Sequence, residues 1–249
     1  MTSAQTNASM PRMPRWQQSL LRGWYRLKLA WPIARVQRHP VMTPFLALVA
    51  GDTSLEVVDE LVMQLLPTRA YGQVVTYLKQ DPACAALIRD RYMAPPYDLD
   101  ALLHYPPESL GYHYATYMQA RGFRAEDLYQ DLDIVSDADY VEARLSQTHD
   151  IWHVVTGFQE TVLDEIGLQA FHLPQFSYPL AAALIASSLM TTLLYDPEQL
   201  PSLLTRIHQG WEMGLRSRSL FAQRWEDAWE KPLATWRAEL GIQPVPAIA

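Results

Sequence analysis

Residues 166–195 run for thirty consecutive positions without Asp, Glu, Lys or Arg. A stretch of this kind must be hidden in a protein core or in lipid, so it limits the folds open to the chain. Pro174 and Pro179 interrupt it and leave Leu180–Tyr195 as its longest clean helix. Sixteen residues rise about 24 Å, short of a hydrocarbon core of about 30 Å, which argues against a membrane span. Ser187, Ser188, Thr191 and Thr192 put a hydroxyl stripe on one face, and Ala182, Ala183 and Ala186 permit close helix approach. The stretch reads as a buried central helix. A sharper reading makes Ala183, Ser187 and Thr191 the lining of a groove for an isoprenoid or acyl chain.

The rest of the chain is helical in pattern. Its 249 residues include 10 Gly and 18 Pro, with Pro placed between the periodic stretches. Alternation of period two is rare, and no nucleotide-binding glycine motif or 20–50-residue repeat occurs. Helical spacing covers about 15–31, 43–50, 54–66, 70–80, 82–92, 110–121, 137–156, 158–172, 178–195, 198–222 and 224–240. The predicted fold is all-α, a single multi-helix domain over 43–249, preceded by an irregular start and an arm over 1–42. The Pro-rich stretch 94–107 reads as a surface excursion, and 241–249 as an extended tail.

Charge is unevenly placed. The chain carries 20 basic and 27 acidic residues, a net of −7. Residues 1–51 hold Arg12, Arg15, Arg22, Arg26, Lys28, Arg35 and Arg38 and no acid. The remaining 198 residues carry 13 basic and 27 acidic side chains, a net of −14. An acidic body argues against nucleic acid as partner. A single Cys84 excludes a disulfide framework and a cysteine-rich zinc module. On a helical wheel Arg15, Arg22 and Arg26 share one side, and Trp16, Leu20, Trp24, Leu27 and Trp31 another. Such a helix suits a membrane interface, with Trp16, Leu20 and Trp24 among acyl chains and Arg22 and Arg26 near anionic headgroups. The plainer reading is a helix resting on the protein's own acidic body. An acid-free, Arg-rich start also fits a mitochondrial transit peptide.

The chemistry concentrates at His149-Asp150-Ile151-Trp152-His153, followed by Glu165. His149 and His153, at i and i+4, share one helix face, and two imidazoles so placed can hold a divalent metal. Glu165 joins them only if the chain turns, and Thr156-Gly157 supplies the break, with Thr156 and Gln159 resembling a capping box. Two His with the carboxylates of Asp150 and Glu165 form a mixed nitrogen and oxygen set. It suits Zn²⁺ first, and also Fe²⁺, Mn²⁺ or Co²⁺. His172, two turns beyond Glu165, points toward the same side.

At these residues the chain resembles the Coq-four family of ubiquinone (coenzyme Q) biosynthesis proteins. The family signature, His-Asp-x-x-His followed after eleven residues by Glu, stands as His149, Asp150, His153 and Glu165. Tyr140, Arg144, Gly157, Ala170-Phe171 and Gln175 fit the pattern around it. So do Pro107-Glu108-Ser109-Leu110-Gly111, Tyr114, and the ending Trp225-Glu226, Trp229-Glu230, Pro232-Leu233, Arg237 and Glu239 to Ile242. The resemblance runs from about Thr43 to Ile242. Asp164 departs from it, since many members are expected to carry Gly there.

The resemblance implies an all-helical, peripheral membrane protein, often a homodimer, with a metal beside a groove for a polyprenyl lipid. It implies loss of the C1 carboxylate from a polyprenylated hydroxybenzoate, coupled in oxidative versions to C1 hydroxylation. The location implied is the cytoplasmic face of a bacterial membrane, or the matrix side of the mitochondrial inner membrane in a eukaryote. A decarboxylation needs protonation or oxidation at the same carbon, and metal-bound water, Asp150 or Asp164 is the expected acid. The rival expectation is a non-catalytic lipid-binding scaffold that organises other quinone biosynthesis proteins. A metallohydrolase is the remaining alternative, disfavoured because Asp150 follows the first His directly and Glu165 has the wrong spacing. Removing residues 1–38 is expected to weaken flotation with anionic liposomes, and undiminished binding would refute the interfacial arm.

Overall fold

The computed structural model describes residues 34–122 and 133–246. The arm residues Trp16, Leu20, Arg22, Trp24 and Arg26 therefore lie outside the described residues. The chain divides into one unit over Met1–Thr43 and a second over Pro44–Ala249, and the second carries the candidate site. Among the described residues the fold is all-α. The helices are α1 (Met42–Val49), α2 (Leu55–Leu65), α3 (Arg69–Leu78), α4 (Pro82–Asp90), α5 (Leu99–Leu102), α6 (Leu110–Gln119), α7 (Asp137–Thr156), α8 (Val162–Phe176), α9 (Pro179–Tyr195), α10 (Leu200–Arg216) and α11 (Leu233–Leu240). A single isolated bridge joins Ser109 and Pro232 among the described residues. It lays the Pro107–Gly111 segment against the Trp229–Leu233 segment, with Leu110 N–H donating to Lys231 O and Leu233 N–H to Glu108 O.

Local chemistry sets most helix ends. Ser136 and Asp139 form a reciprocal capping box at the start of α7. Asp81 caps α4 and Pro82 occupies its first turn. Gly157, at φ +83°, ends α7 in the left-handed conformation. A Cβ there would also lie 2.9 Å from Val245 O, because the C-terminal tail runs across this turn. Three boundaries differ from the pattern. The cap of α8 is Thr161 and not Thr156, which is still helical and donates its hydroxyl to Trp152 O. Pro174 sits inside α8, which continues to Phe176. The stretch 224–240 divides into a 3₁₀ turn, Trp225–Ala228, and α11, because Pro232 interrupts it.

The tightest packing in the fold joins α8 to α10. A Cβ at Gly210 would lie 1.9 Å from Gly167 O, and one at Gly214 would lie 2.4 Å from Phe171 O. The two helices touch backbone to backbone because glycine leaves no side chain in the way. Four residues before Gly210, Arg206 Nε lies 2.6 Å from Asp164 Oδ1. Partner numbers rise together along both helices, so α8 and α10 run in the same direction and α9 returns between them. Ile166 and Ala170 of α8, Ile185 of α9 and Leu203 of α10 form the apolar core of this three-helix layer.

The most enclosed helix is α7, not the uncharged α9. Residues buried on α7 include Glu142, Arg144, Gln147 and Thr148, and each of these side chains has partners. Arg144 donates to Glu226 at 2.7 and 3.0 Å and to Gln147 at 2.6 Å. Glu142 accepts from the Tyr71 and Tyr178 hydroxyls at 2.5 and 2.7 Å. On α9, by contrast, Met190, Leu193, Leu194 and Tyr195 are exposed. No helix among the described residues is long and apolar enough to cross a membrane. Ala183 is half-buried. Ser187 Oγ donates to Leu184 O, and Thr191 Oγ donates to Leu48 O at the end of α1. Those two hydroxyls serve backbone carbonyls and do not face open space.

Gly210→Ala is expected to cost about 2–3 kcal/mol, because the clash is with backbone. That lowers Tm by roughly 5–10 °C for a domain of this size. Gly72→Ala is the control: it is an exposed helical position with nothing within 4 Å of the added Cβ, and it is expected to stabilise by about 0.5–1 kcal/mol. Thermal unfolding of the two variants checks both signs.

Candidate metal centre

The turn between α7 and α8 brings three side chains together. His149 and His153 project from the last two turns of α7, and their Nε2 atoms are 3.1 Å apart. Glu165 sits in the first turn of α8, where Thr161 caps the helix by accepting from Asp164 N–H. Its Oε1 is 3.1 Å from His153 Nε2 and its Oε2 is 3.6 Å from His149 Nε2. One ligand atom from each of the three lies within 4.8 Å of the others.

Orientation of His153 decides what the cluster can hold. Its Nδ1 is 2.9 Å from Phe158 O. A carbonyl only accepts, so Nδ1 carries the hydrogen and the neutral ring presents a lone pair at Nε2. That lone pair faces a carboxylate oxygen and a second imidazole nitrogen. Acceptors gathered in this way repel one another unless a proton or a metal cation lies between them. The spacing fits a metal: ligands at about 2.0–2.1 Å in a tetrahedral shell stand about 3.3 Å apart. Two nitrogens and one oxygen from the protein would leave a position for water or substrate. The Tyr117 ring stacks on His153 with centroids 6.1 Å apart and holds the imidazole from one side.

The remaining expected residues fall elsewhere. Asp150 is half-buried on α7 and is not among the three clustered ligands. Burial pushes its carboxyl up, opposed by the two histidines. Asp164 is fully buried and committed: Arg206 faces one oxygen and Gln159 N–H donates to the other at 3.0 Å. Its role is to anchor α8 to α10 and to the linking turn. His172 is buried, with Nδ1 2.8 Å from Leu168 O and its ring stacked on Trp152 at 4.8 Å. Burial holds it neutral, pushed down to about 3. Tyr117 and Arg121 come from α6 and its end. No spacing rule connects them to the histidines, so only the fold reveals them.

Electrostatics ties the cluster to pH. Burial disfavours a charged His149, but Glu165 more than offsets this and holds it above its ordinary 6.5. Burial likewise raises Glu165, and the two imidazoles more than reverse the effect, leaving it well below the usual carboxylate range. In metal-free protein the His149–Glu165 pair therefore contributes fully from about pH 4.5 to 6.5. The Glu165 part is lost as pH falls through its depressed value, and the His149 part as pH rises through its raised value. A metal competes with the proton on His149. Metal-free protein is expected to lose Tm as pH rises from 6 to 9, while added Zn²⁺ gives a stabilisation that grows over the same interval. Scanning calorimetry with and without Zn²⁺ checks this, and a Zn²⁺ effect that is flat with pH would contradict it.

Comparison with known proteins follows the same residues. A family model described as coenzyme Q (ubiquinone) biosynthesis protein Coq4 matches residues 61–246. The mitochondrial ubiquinone biosynthesis protein COQ4 of Coccidioides immitis is 29% identical over 172 residues, covering 67% of this chain and 59% of that protein. Its Aspergillus niger counterpart is 30% identical over 172 residues, covering 67% and 57%. The chain thus spans less than two thirds of these curated relatives. A crystal structure from Nostoc punctiforme, provisionally assigned to ubiquinone biosynthesis, superposes with a TM-score of 0.75 at 31% identity. It covers 81% of this chain and 96% of its own.

Proposed function

Since the chain belongs to the Coq4 family of coenzyme Q (ubiquinone) biosynthesis proteins, we propose that it removes the C1 carboxylate of a polyprenylated hydroxybenzoate at the centre formed by His149, His153 and Glu165. The observation that carries the metal part of this reading is the convergence of the His153 Nε2 lone pair, His149 Nε2 and a Glu165 oxygen at 3.1–3.6 Å. Zn²⁺ suits two imidazoles and a carboxylate, and Fe²⁺, Mn²⁺ and Co²⁺ share the donor preference. When bound, a divalent cation supplies Lewis acidity that stabilises negative charge on the head group as the C–C bond breaks.

The protein's own groups do the rest. Phe158 O and the Tyr117 ring fix His153, so the ligand set is oriented before substrate arrives. The carboxylate leaves as carbon dioxide, and the electron pair left on C1 takes a proton. Asp164 is tied to Arg206, so the proton falls to Asp150, beside His149 on α7. In an oxidative version of the reaction C1 takes a hydroxyl instead of that proton, with dioxygen as the two-electron oxidant, carbon dioxide leaving and hydrogen peroxide as the reduced product.

Association with lipid belongs to the same proposal. Exposed apolar side chains on α9 (Met190, Leu193, Leu194 and Tyr195) and on α10 (Leu204, Trp211 and Leu215) offer contact for a membrane surface, the polyprenyl tail or a second copy. The same exposure favours a second reading, a scaffold that presents the lipid to other quinone biosynthesis proteins without turning it over.

The double substitution His149→Ala, His153→Ala separates the two. Enzyme action predicts loss of bound metal and accumulation of the carboxylated precursor, with assembly of the biosynthetic proteins intact. Failed assembly, together with no turnover by purified wild-type protein, would establish the scaffold instead.

A further inference from the structure

Arg121 stands beside the cluster without belonging to it. Its guanidinium carbon lies 3.6 Å from the centroid of Tyr117, the ring that stacks on His153. One aromatic ring thus separates Arg121 from a candidate metal ligand. Its Nε is 2.7 Å from Glu160 Oε2, and its Nη1 donates to Tyr117 O at 3.0 Å. Glu160 belongs to the short link between α7 and α8, so the pair sits on the same turn that brings His153 and Glu165 together. Both side chains remain in contact with solvent, at 23% and 34% exposure, so an incoming group can reach them.

The charge around the cluster gives this arginine a task. Asp150, Glu160 and Glu165 gather three carboxylates around the cluster, and Tyr117 brings no cation to offset them. Apart from the proposed metal, a ligand that carries a carboxylate is repelled there unless a cation meets it. A guanidinium is cationic at any physiological pH, and its planar fork matches a carboxylate with two parallel hydrogen bonds. A part-exposed ion pair contributes little, so a ligand carboxylate can take the place of Glu160 at small cost.

We infer that Arg121 recognises the carboxylate of the head group, with Glu160 as the internal carboxylate that occupies the guanidinium until the ligand exchanges with it. This inference rests on the proposed head-group chemistry. It assigns substrate discrimination to a residue outside the His149, His153 and Glu165 set. An arginine that merely ties the end of α6 to the linking turn makes a different prediction, because removing either partner of a tie weakens the protein in the same direction.

The test is titration of the full-length protein with 4-hydroxybenzoate and with phenol, by calorimetry, in Zn²⁺-loaded and chelator-treated samples. Wild type is expected to prefer 4-hydroxybenzoate. Arg121→Gln is expected to lower its affinity roughly tenfold or more while leaving phenol binding and Zn²⁺ content unchanged. Glu160→Gln is expected to raise affinity for 4-hydroxybenzoate several-fold, an effect that a structural tie does not produce. Carboxylate preference that survives chelation and disappears in Arg121→Gln supports the assignment even if the metal reading fails. A preference that is lost on chelation but unaffected by Arg121→Gln overturns it and leaves the metal reading standing. Weaker binding in Glu160→Gln, or no binding of 4-hydroxybenzoate by wild type, also overturns it.

Discussion

The backbone contact between α8 and α10 is the constraint on which the rest of the structure hangs. Gly210 meets Gly167, Gly214 meets Phe171, and the buried Arg206–Asp164 pair closes the end nearest the linking turn. Helices that touch backbone to backbone have little freedom to slide or rotate, because the contact surface offers no side chains to re-pack. The first turn of α8 is thereby fixed, and Glu165 with it. The charged pair is costly to bury alone, yet each partner has further contacts. Asp164 also accepts Gln159 N–H, and Arg206 donates to Gln209 Oε1 at 2.9 Å. Stability and site geometry here come from one arrangement.

On the other side of the site, α7 solves a different problem. It carries acids, an arginine and the two candidate-ligand histidines, yet it is enclosed by neighbours. Burial of such groups requires partners with good geometry. Arg144 is matched by Glu226 and Gln147, and Glu226 also accepts the Tyr97 hydroxyl at 2.5 Å. The Glu142 carboxylate, held up by burial, is shared by two tyrosine hydroxyls. These networks lock the helix about its own axis and aim His149 and His153 at α8. The two histidines are thus held by pairings that lie one and two turns away from them.

Much of this is legible in the sequence. The i, i+4 spacing of His149 and His153 specifies a shared helix face, and the glycine after Thr156 marks the turn that Glu165 needs. Helical spacing broken by prolines points to the all-α class. The misreadings have physical causes. Thr156 looks like a cap but is still helical, because Gly157 ends the helix and Thr161 is the next hydroxyl with a free amide ahead of it. Pro174 looks like a breaker, yet it lies in the last turn of α8, which continues only to Phe176. The uncharged α9 reads as the most buried element because it lacks charge. In the fold, α7 takes that place by pairing its charges, and α9 keeps an open apolar face. Asp164, one of the candidate acids, is held by Arg206 from another helix. Partners so far apart in the chain leave no trace in local spacing, and the same holds for Tyr117 and Arg121.

Everything turns on whether His149, His153 and Glu165 bind one metal ion. X-ray absorption spectroscopy on the purified full-length protein, with elemental analysis of the same sample, reports this most directly. The expected result is one divalent metal per chain, a first shell of nitrogen and oxygen with scattering from two imidazoles, and no sulfur. Loss of that signal in Glu165→Gln would agree with it. A metal-free protein that also fails to take up Zn²⁺, or a shell that lacks imidazole scattering, would contradict it.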